Sequence, residues 1–315
     1  MPGAIAYREL TARDDEAGCR LDVLLARRFG CSRTAIHQRM CGPVLGAAGR
    51  PRKWSHRVRP GEVVRIPTLV RPEPDVEVRY QLLLVDDWLV AVDKGPGAPV
   101  HPVRSYRTRN VLSRLRAELG DPGLSPAHRL DRETSGVLLF GRGGRATSGL
   151  GRQFAAGGVS KTYLAVVRGE PAFDRRCVDL PLGPDPDFPI RGRVRVDERQ
   201  GQASRTELRV IRRLGDRALV EARRRTGRMH QIRVHLAALG HPLLGDKLYQ
   251  DQGRAHLAMI RDQLDPSWLG RLGHHRLALH AAALQLAHPA TGEPLCVQAP
   301  LPADLDALLS PAPAG

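Results

Sequence analysis

The chain has 315 residues, 42% hydrophobic and 26% charged, an ordinary water-facing composition with room for two or three domains. Lys and Arg number 49 against 33 Asp and Glu, a formal charge of +16 that points to a polyanionic partner, most simply nucleic acid, bound in a salt-dependent way. A coding bias toward Arg, Ala, Gly and Pro accounts for Arg over Lys but not for the excess of basic over acidic groups. No run approaches the roughly 18 apolar residues of a membrane span, and residues 1–10 lack the basic and apolar blocks of a secretory signal. The expectation is a cytoplasmic, monomeric protein without membrane contact. Cys19, Cys31, Cys41, Cys177 and Cys296 are scattered and form no Cys-x-x-Cys pair, so buried free thiols are expected rather than disulfides or zinc. His274 and His275 with His280 come nearest to a ligand spacing; they read as a loop entering a strand, and no metal is expected.

In chain order, residues 19–66 read as a small module. Leu21, Leu24, Leu25 and Phe29 suit an amphipathic helix closed by Gly30. Ser32 is placed to cap a second helix over 33–40 that presents Arg33, His37 and Arg39 to solvent. A basic loop, Gly49-Arg50-Pro51-Arg52-Lys53-Trp54, and a β-like run at 63–66 follow. Arginines on two helices beside a basic loop make a plausible RNA-binding surface, and a generic helical cap is the plainer alternative. Prolines 67, 72 and 74 mark an extended connection. The expected division is a domain at 15–68, a linker at 69–78 and a larger domain at 79–310.

The larger domain opens with two short strands around Asp86-Asp87, then a rigid Gly-Pro loop, then a helix over 110–119 ended by Gly120. Next comes His128-Arg129-Leu130-Asp131-Arg132-Glu133-Thr134-Ser135-Gly136, leading into the apolar run Val137-Leu138-Leu139-Phe140. That run is short and rich in β-formers, a buried strand entered through a Thr-Ser-Gly turn. Asp131 therefore sits at the mouth of a rigid element, as either an ion-pair partner or a reacting group, and local physics favours the ion pair. Gly149 and Gly151 weaken the helix that would otherwise cover 147–154. Tyr163 begins a core strand, where packing is the economical role. Residues 230–239 read as a helix with Ile232, Leu236 and Leu239 on one face and Gly240 behind it.

Taken together, the series LLLVDDWLVAVDKGPGAPVHP, AHRLDRETSGVLLFGR, KTYLAVVRG, TGRMHQIRVHLAALGHPLLGDKLY and LALHAAALQLAHPATGEPL resembles the RluA-type pseudouridine synthases in content and order. The first module resembles the small αL RNA-binding domain shared with ribosomal protein S four, loosely so between Cys41 and Lys53. The resemblance implies an α+β catalytic domain on a mixed, mainly antiparallel sheet with a cleft across its middle. It implies isomerisation of uridine to pseudouridine without a cofactor, with RNA as partner. The target would be large-subunit ribosomal RNA, with transfer RNA or a ribosome-assembly role of little turnover as alternatives; a base-releasing hydrolase ranks last.

By resemblance Asp131 is the essential carboxylate, Arg228 its paired cation and Tyr163 the ring against the base. Such a buried pair loses roughly 3–5 kcal/mol when one member is removed. Arg129 is the candidate to fill the space left by a flipped uridine, or else a partner for Glu133. His128, Lys161, Lys94 and Ile232 are further substrate-binding candidates. The chain has only four lysines, and Lys94, Lys161 and Lys247 fall inside these blocks, where a compact ammonium suits tight polar sites better than a guanidinium. Gly95, Met229 and Gln250 depart from the family pattern and bear on RNA specificity rather than on activity.

Overall fold

Leu21, Leu24 and Leu25, all buried, recur at helical spacing, while Val64 and Ile66 alternate as in a half-buried strand. The computed structural model describes residues 4–70, 73–103, 105–224, 226–261 and 263–310, in two compact units, Met1–Pro74 and Asp75–Gly315. In the first unit, β1 (Ala4–Thr11), β2 (Leu45–Gly46) and β3 (Val63–Val70) form a sheet in the order β1-β3-β2. It packs with helices α1 (Leu21–Arg28) and α2 (Arg33–Arg39), and Ser32 caps α2 by accepting from the Ala35 amide at 3.1 Å. Asp22 is fully buried and accepts from Arg20 and Arg33. Arg33 and His37 are exposed, as expected; the side chain of Arg39 lies outside the described residues.

Two boundaries differ from the reading of the sequence. The strand β1 lies ahead of the expected start at 15, and β3 runs through Pro67 to Val70, into the expected linker. Pro67 is tolerated because it lies beyond the end of β2, where β3 is paired on one side only.

The second unit contains β4 (Tyr80–Val85), β5 (Leu89–Lys94), α3 (Val111–Leu119), β6 (Leu124–Pro126), β7 (Ser135–Arg142), α4 (Gly143–Ala155) and β8 (Ser160–Arg168). It continues with β9 (Arg175–Asp179), β10 (Leu182–Pro184), β11 (Val194–Val196), β12 (Arg205–Arg213), β13 (Arg217–Arg224) and α5 (Gln231–Ala238). It closes with α6 (Arg254–Ile260), α7 (Ser267–Leu272), β14 (Leu279–Ala287), β15 (Pro294–Gln298) and α8 (Ala303–Asp306). Ten strands make one sheet whose main path is β4-β5-β7-β14-β8-β13-β12-β9, with β15 on β14 and β6 on β7. Every pairing is antiparallel except β7 with β14. The expected α+β fold on a mixed, mainly antiparallel sheet is what the chain adopts.

The unbroken apolar run of β7 is explained by two cores. Leu138 and Phe140 join the core with Leu115 of α3 and Leu236 of α5, while Val137 and Leu139 join another with Leu150 of α4. Helix α4 forms despite Gly149 and Gly151, because burial of Ala146 and Leu150 outweighs about 1 kcal/mol of lost propensity per glycine. At the parallel junction Gly136 has φ 110°, and a Cβ there would lie 2.3 Å from the Ala281 carbonyl oxygen. Only glycine lets the strand start there.

All five cysteines are free, but none is fully buried, and Cys177 and Cys296 are exposed because they sit on the solvent side of β9 and β15. His280 is apart from the histidine cluster, held in the sheet between Ser135 Oγ and the Ala299 carbonyl. Among the described residues the close donor set is His274, His275 and Asp304, and Arg276 already holds Asp304 through two nitrogens. No described helix is long and apolar enough to cross a membrane.

Candidate active site

Asp131 lies in the loop that leads into β7 at Ser135, and its side chain is 30% exposed, at the lip of a narrow cavity. Arg233 Nη1 donates to Asp131 Oδ2 at 3.0 Å, and the same guanidinium binds Asp246 through Nε and Nη2, both at 2.8 Å. Asp246 is fully buried and also accepts from the backbone amides of Leu248 and Tyr249. The result is a carboxylate–guanidinium–carboxylate line in which Asp246 anchors the arginine and the arginine faces Asp131. A planar guanidinium can bind two carboxylates at once in a way that an ammonium cannot.

Burial alone would push the Asp131 carboxyl up, but the Arg233 charge and hydrogen bond, with His230 and Arg129 nearby, outweigh it and hold the group below its ordinary value. His230 Nε2 lies 3.8 Å from Asp131 Oδ2. Burial and then the Arg233 charge push His230 down to about 4, so it is neutral at pH 7 and Arg233 carries the charge that keeps Asp131 ionised. His230 has φ 55°, an uncommon conformation for a residue with a side chain, and its Nδ1 meets the Tyr249 hydroxyl at 2.9 Å.

The expected partnership of Asp131 with Arg228 is therefore corrected. Arg228 is exposed, and its Nε donates to the Ala203 carbonyl at 3.3 Å. It precedes α5, whereas Arg233 lies within the buried stretch of the helix and reaches the cavity between Asp131 and Asp246. Sequence reasoning missed Arg233, Asp246 and Tyr249. The available signal was a charged side chain set between Ile232 and Val234, in a helix whose residues 231–236 are all buried. A cation there must be paired.

Tyr163, Ile232, Leu130, Thr134 and Leu279 wall the cavity, with Arg129 and Arg224 also lining it. Tyr163 is buried, its ring 5.0 Å from the Arg224 guanidinium carbon, and burial raises its hydroxyl so that it keeps its proton. Tyr163 and Ile232 also belong to the main core, so both the packing and the site readings of these residues hold. The Thr134 hydroxyl is buried and has no hydrogen-bond partner among the described residues. Arg129 is exposed at the rim, and it does not pair with Glu133, whose carboxylate takes Lys247 Nζ at 3.0 Å and the Leu277 amide at 3.1 Å.

Three other candidates act from behind or beside this cavity. Lys94 is fully buried and donates to the carbonyls of Gly95, Arg132 and Thr134 at 2.8, 3.0 and 2.9 Å, tying the Asp131 loop to β5. Burial, then the Arg276 charge, pushes its ammonium down to about 7, yet three acceptors match the three donors of the protonated form. His128 accepts the Leu139 amide at 3.2 Å and stacks on Phe154, a structural role, and burial pushes it down to about 3. Lys161 lies 4.5 Å from the Phe154 ring centre, beside Arg223 and Arg224 in a neighbouring depression rather than in the cavity itself.

The arrangement is that of an enzyme which keeps one carboxylate ionised at the edge of an arginine-lined, partly apolar cavity, with a basic surface around it. A sequence profile of the RNA pseudouridylate synthase family matches residues 88–238, the span from β5 to the end of α5. Ribosomal large subunit pseudouridine synthase D of Xanthomonas campestris pv. campestris is 33% identical over 97% of this chain and 92% of its own length. Ribosomal large subunit pseudouridine synthase C of Yersinia pestis is 34% identical over 93% of this chain and 91% of its own. Among solved structures, human RNA Pseudouridylate Synthase Domain Containing 4 matches with a TM-score of 0.54 and 29% identity, covering 71% of this chain and 90% of that one. The chain belongs to the RNA pseudouridylate synthase family. It is an RNA pseudouridine synthase.

Proposed function

We propose that this enzyme converts specific uridines of large-subunit ribosomal RNA to pseudouridine, with Asp131 as the essential carboxylate. The observation that carries the reading is the Asp131–Arg233–Asp246 line at the lip of the cavity walled by Tyr163 and Ile232. In the net reaction the N1–C1′ bond breaks, a C5–C1′ bond forms, C5 loses a proton and N1 gains one. No electrons are exchanged, so the balance needs only a group that engages the sugar or its proton and walls that retain the free base. Arg233 occupies Oδ2, which leaves Oδ1 to react. Tyr163 supplies a face for the base and Ile232 an apolar wall.

The cavity is about 40 Å³, room for little more than one water, so seating a uracil requires the rim arginines Arg129 and Arg224 to swing aside. Arg129 then suits the space that the flipped nucleotide leaves, since a guanidinium plane stacks on bases. The first unit supports RNA grip through its αL-like pair of helices, with exposed Arg33, Arg50, Arg52 and Lys53. The relatives' names favour the large subunit over transfer RNA.

Pseudouridine mapping of total RNA from cells with and without the gene tests the proposal. A large-subunit site lost on deletion and restored by wild type, but not by Asp131→Asn, is the expected result. Restoration by Asp131→Asn, or an unchanged large-subunit map, would overturn it.

A further inference from the structure

Beside the Asp131 cavity lies a larger groove of about 460 Å³, and Asp131, His230 and Arg233 line both. Its far wall is built by the segment between β10 and β11 and by α6, through Phe188, Arg193, His256 and Ile260. The Arg193 guanidinium carbon sits 4.7 Å from the centre of the Phe188 ring and 5.7 Å from that of Tyr249. Arg193 Nε is buried with no partner among the described residues. Phe188 rests on Gly253 so closely that a Cβ there would lie 2.9 Å from the ring. The turn that brings Gly253 in has positive φ at Asp251, Gln252 and Gly253 in succession, 43°, 53° and 80°. Non-glycine residues hold such angles only where their surroundings require it, and the other described example, His230, stands next to Asp131. His230 lines the groove itself, and the Asp251–Gln252 turn stands behind it, bringing Gly253 against the Phe188 ring.

The linkage runs through to the chemistry. Arg193 packs on Tyr249, Tyr249 bonds His230, and His230 faces Asp131. A flat aromatic–guanidinium surface beside further cations (Arg132, Arg191 and Lys247 also line the groove) fits an unstacked nucleobase with its phosphate. Lys247 is already held by Glu133 at 3.0 Å and Arg193 by Asp185 at 3.5 Å, and an apolar peptide would bring no anion to Arg132 and Arg191.

We propose that this groove holds one unpaired nucleotide next to the target uridine, with its base stacked on the Phe188–Arg193 platform. Phe188 and Arg193 would thereby help to select which uridine is modified. The inference rests on the reading of Asp131 as the uridine-isomerising group. The test uses the full chain and a large-subunit ribosomal RNA transcript labelled with tritium at uridine C5, which releases label as C5 loses its proton.

Phe188→Leu keeps apolar volume over Gly253 but removes the stacking plane, and Arg193→Met removes the cation. Each should raise KM on the order of ten-fold, the scale of one lost base–aromatic stack, with kcat changed by less than about two-fold. Phe188→Trp should restore KM. A photoreactive p-azidophenylalanine at position 188 should cross-link to the nucleotide immediately beside the modified uridine. Tritium release with KM unchanged in both variants, or cross-links only to distant nucleotides, would overturn the groove assignment alone. If wild type releases no tritium, the uridine reading fails and the groove assignment falls with it. Should Phe188→Leu melt early and lose kcat as well, Arg193→Met and the cross-link decide the matter.

Discussion

Arg228 and Arg233 differ by five positions and have opposite fates, which makes the residue scale directly testable. Arg233→Ala would leave Asp246 buried without its cation and Asp131 without its partner. It is expected to cost roughly 3–5 kcal/mol in stability and to abolish turnover. Arg228→Ala removes one exposed side chain and should change stability by no more than about 0.5 kcal/mol. Equal melting temperatures for the two variants would count against the ion-pair assignment. Acid titration gives a second test. Burial works against the charge on Asp246 and on Asp131, but Arg233 holds both carboxyls below their ordinary value. A depressed folded pKa means that the stabilisation is complete above the unfolded value, about 3.9, and is lost as pH falls from there through the folded pKa. Melting temperature should thus stay level from neutrality down to about pH 5 and drop below about pH 4. In Asp246→Asn it should be lower at neutral pH and fall less steeply in acid.

At the scale of elements, Asp131 is placed by a loop that other elements hold in position. Lys94 from β5 binds the carbonyls of Arg132 and Thr134, Lys247 binds the Glu133 carboxylate, and Arg276 reaches the Glu133 carbonyl at 3.4 Å. Lys94→Met keeps much of the length but removes the donor to the Gly95 and Thr134 carbonyls and leaves that of Arg132 with the Gly97 amide alone, and each unsatisfied buried group costs about 1–3 kcal/mol. The variant should melt early and lose turnover even though Lys94 does not line the cavity. Unchanged thermal melting would show that the clamp is dispensable. The lysine pattern seen in the sequence thus corresponds to two compact clamps, Lys94 and Lys247, and one ring-stacked cation, Lys161. The strand that the loop enters depends on Gly136, whose missing Cβ allows the one parallel pairing of the sheet.

At the scale of the whole molecule, a charge of +16 is a statement about RNA affinity rather than about fold. Phosphate contacts release counterions, with a log–log salt slope of about −0.7 per phosphate on single strands. Changing Arg50, Arg52 and Lys53 together to Gln should flatten that slope by about 2 if the first unit contacts the RNA backbone. An unchanged slope, measured by filter binding across a salt series, would remove this loop from the RNA-binding surface. The first unit has its own buried core, so this substitution at exposed positions should leave its fold intact.

Local order in the sequence was enough to locate much of this protein. The Ser32 cap, the Gly120 stop, the helix over 231–238 and the strand behind Asp131 follow from capping chemistry and period, which act over a few residues. The position of Asp131 at the mouth of a rigid strand was legible for the same reason. Its partner was not. Arg233 lies 102 residues from Asp131 in the chain and is selected by the direction in which the packed α5 points it, and a one-dimensional pattern does not contain that direction. Asp246 and the three-carbonyl Lys94 clamp were hidden likewise, because a buried charge is tolerated only by partners that tertiary packing supplies. The sequence by itself determined that Asp131 stands at the mouth of a buried strand, because that follows from local pattern; the tertiary structure decided which cation keeps it ionised.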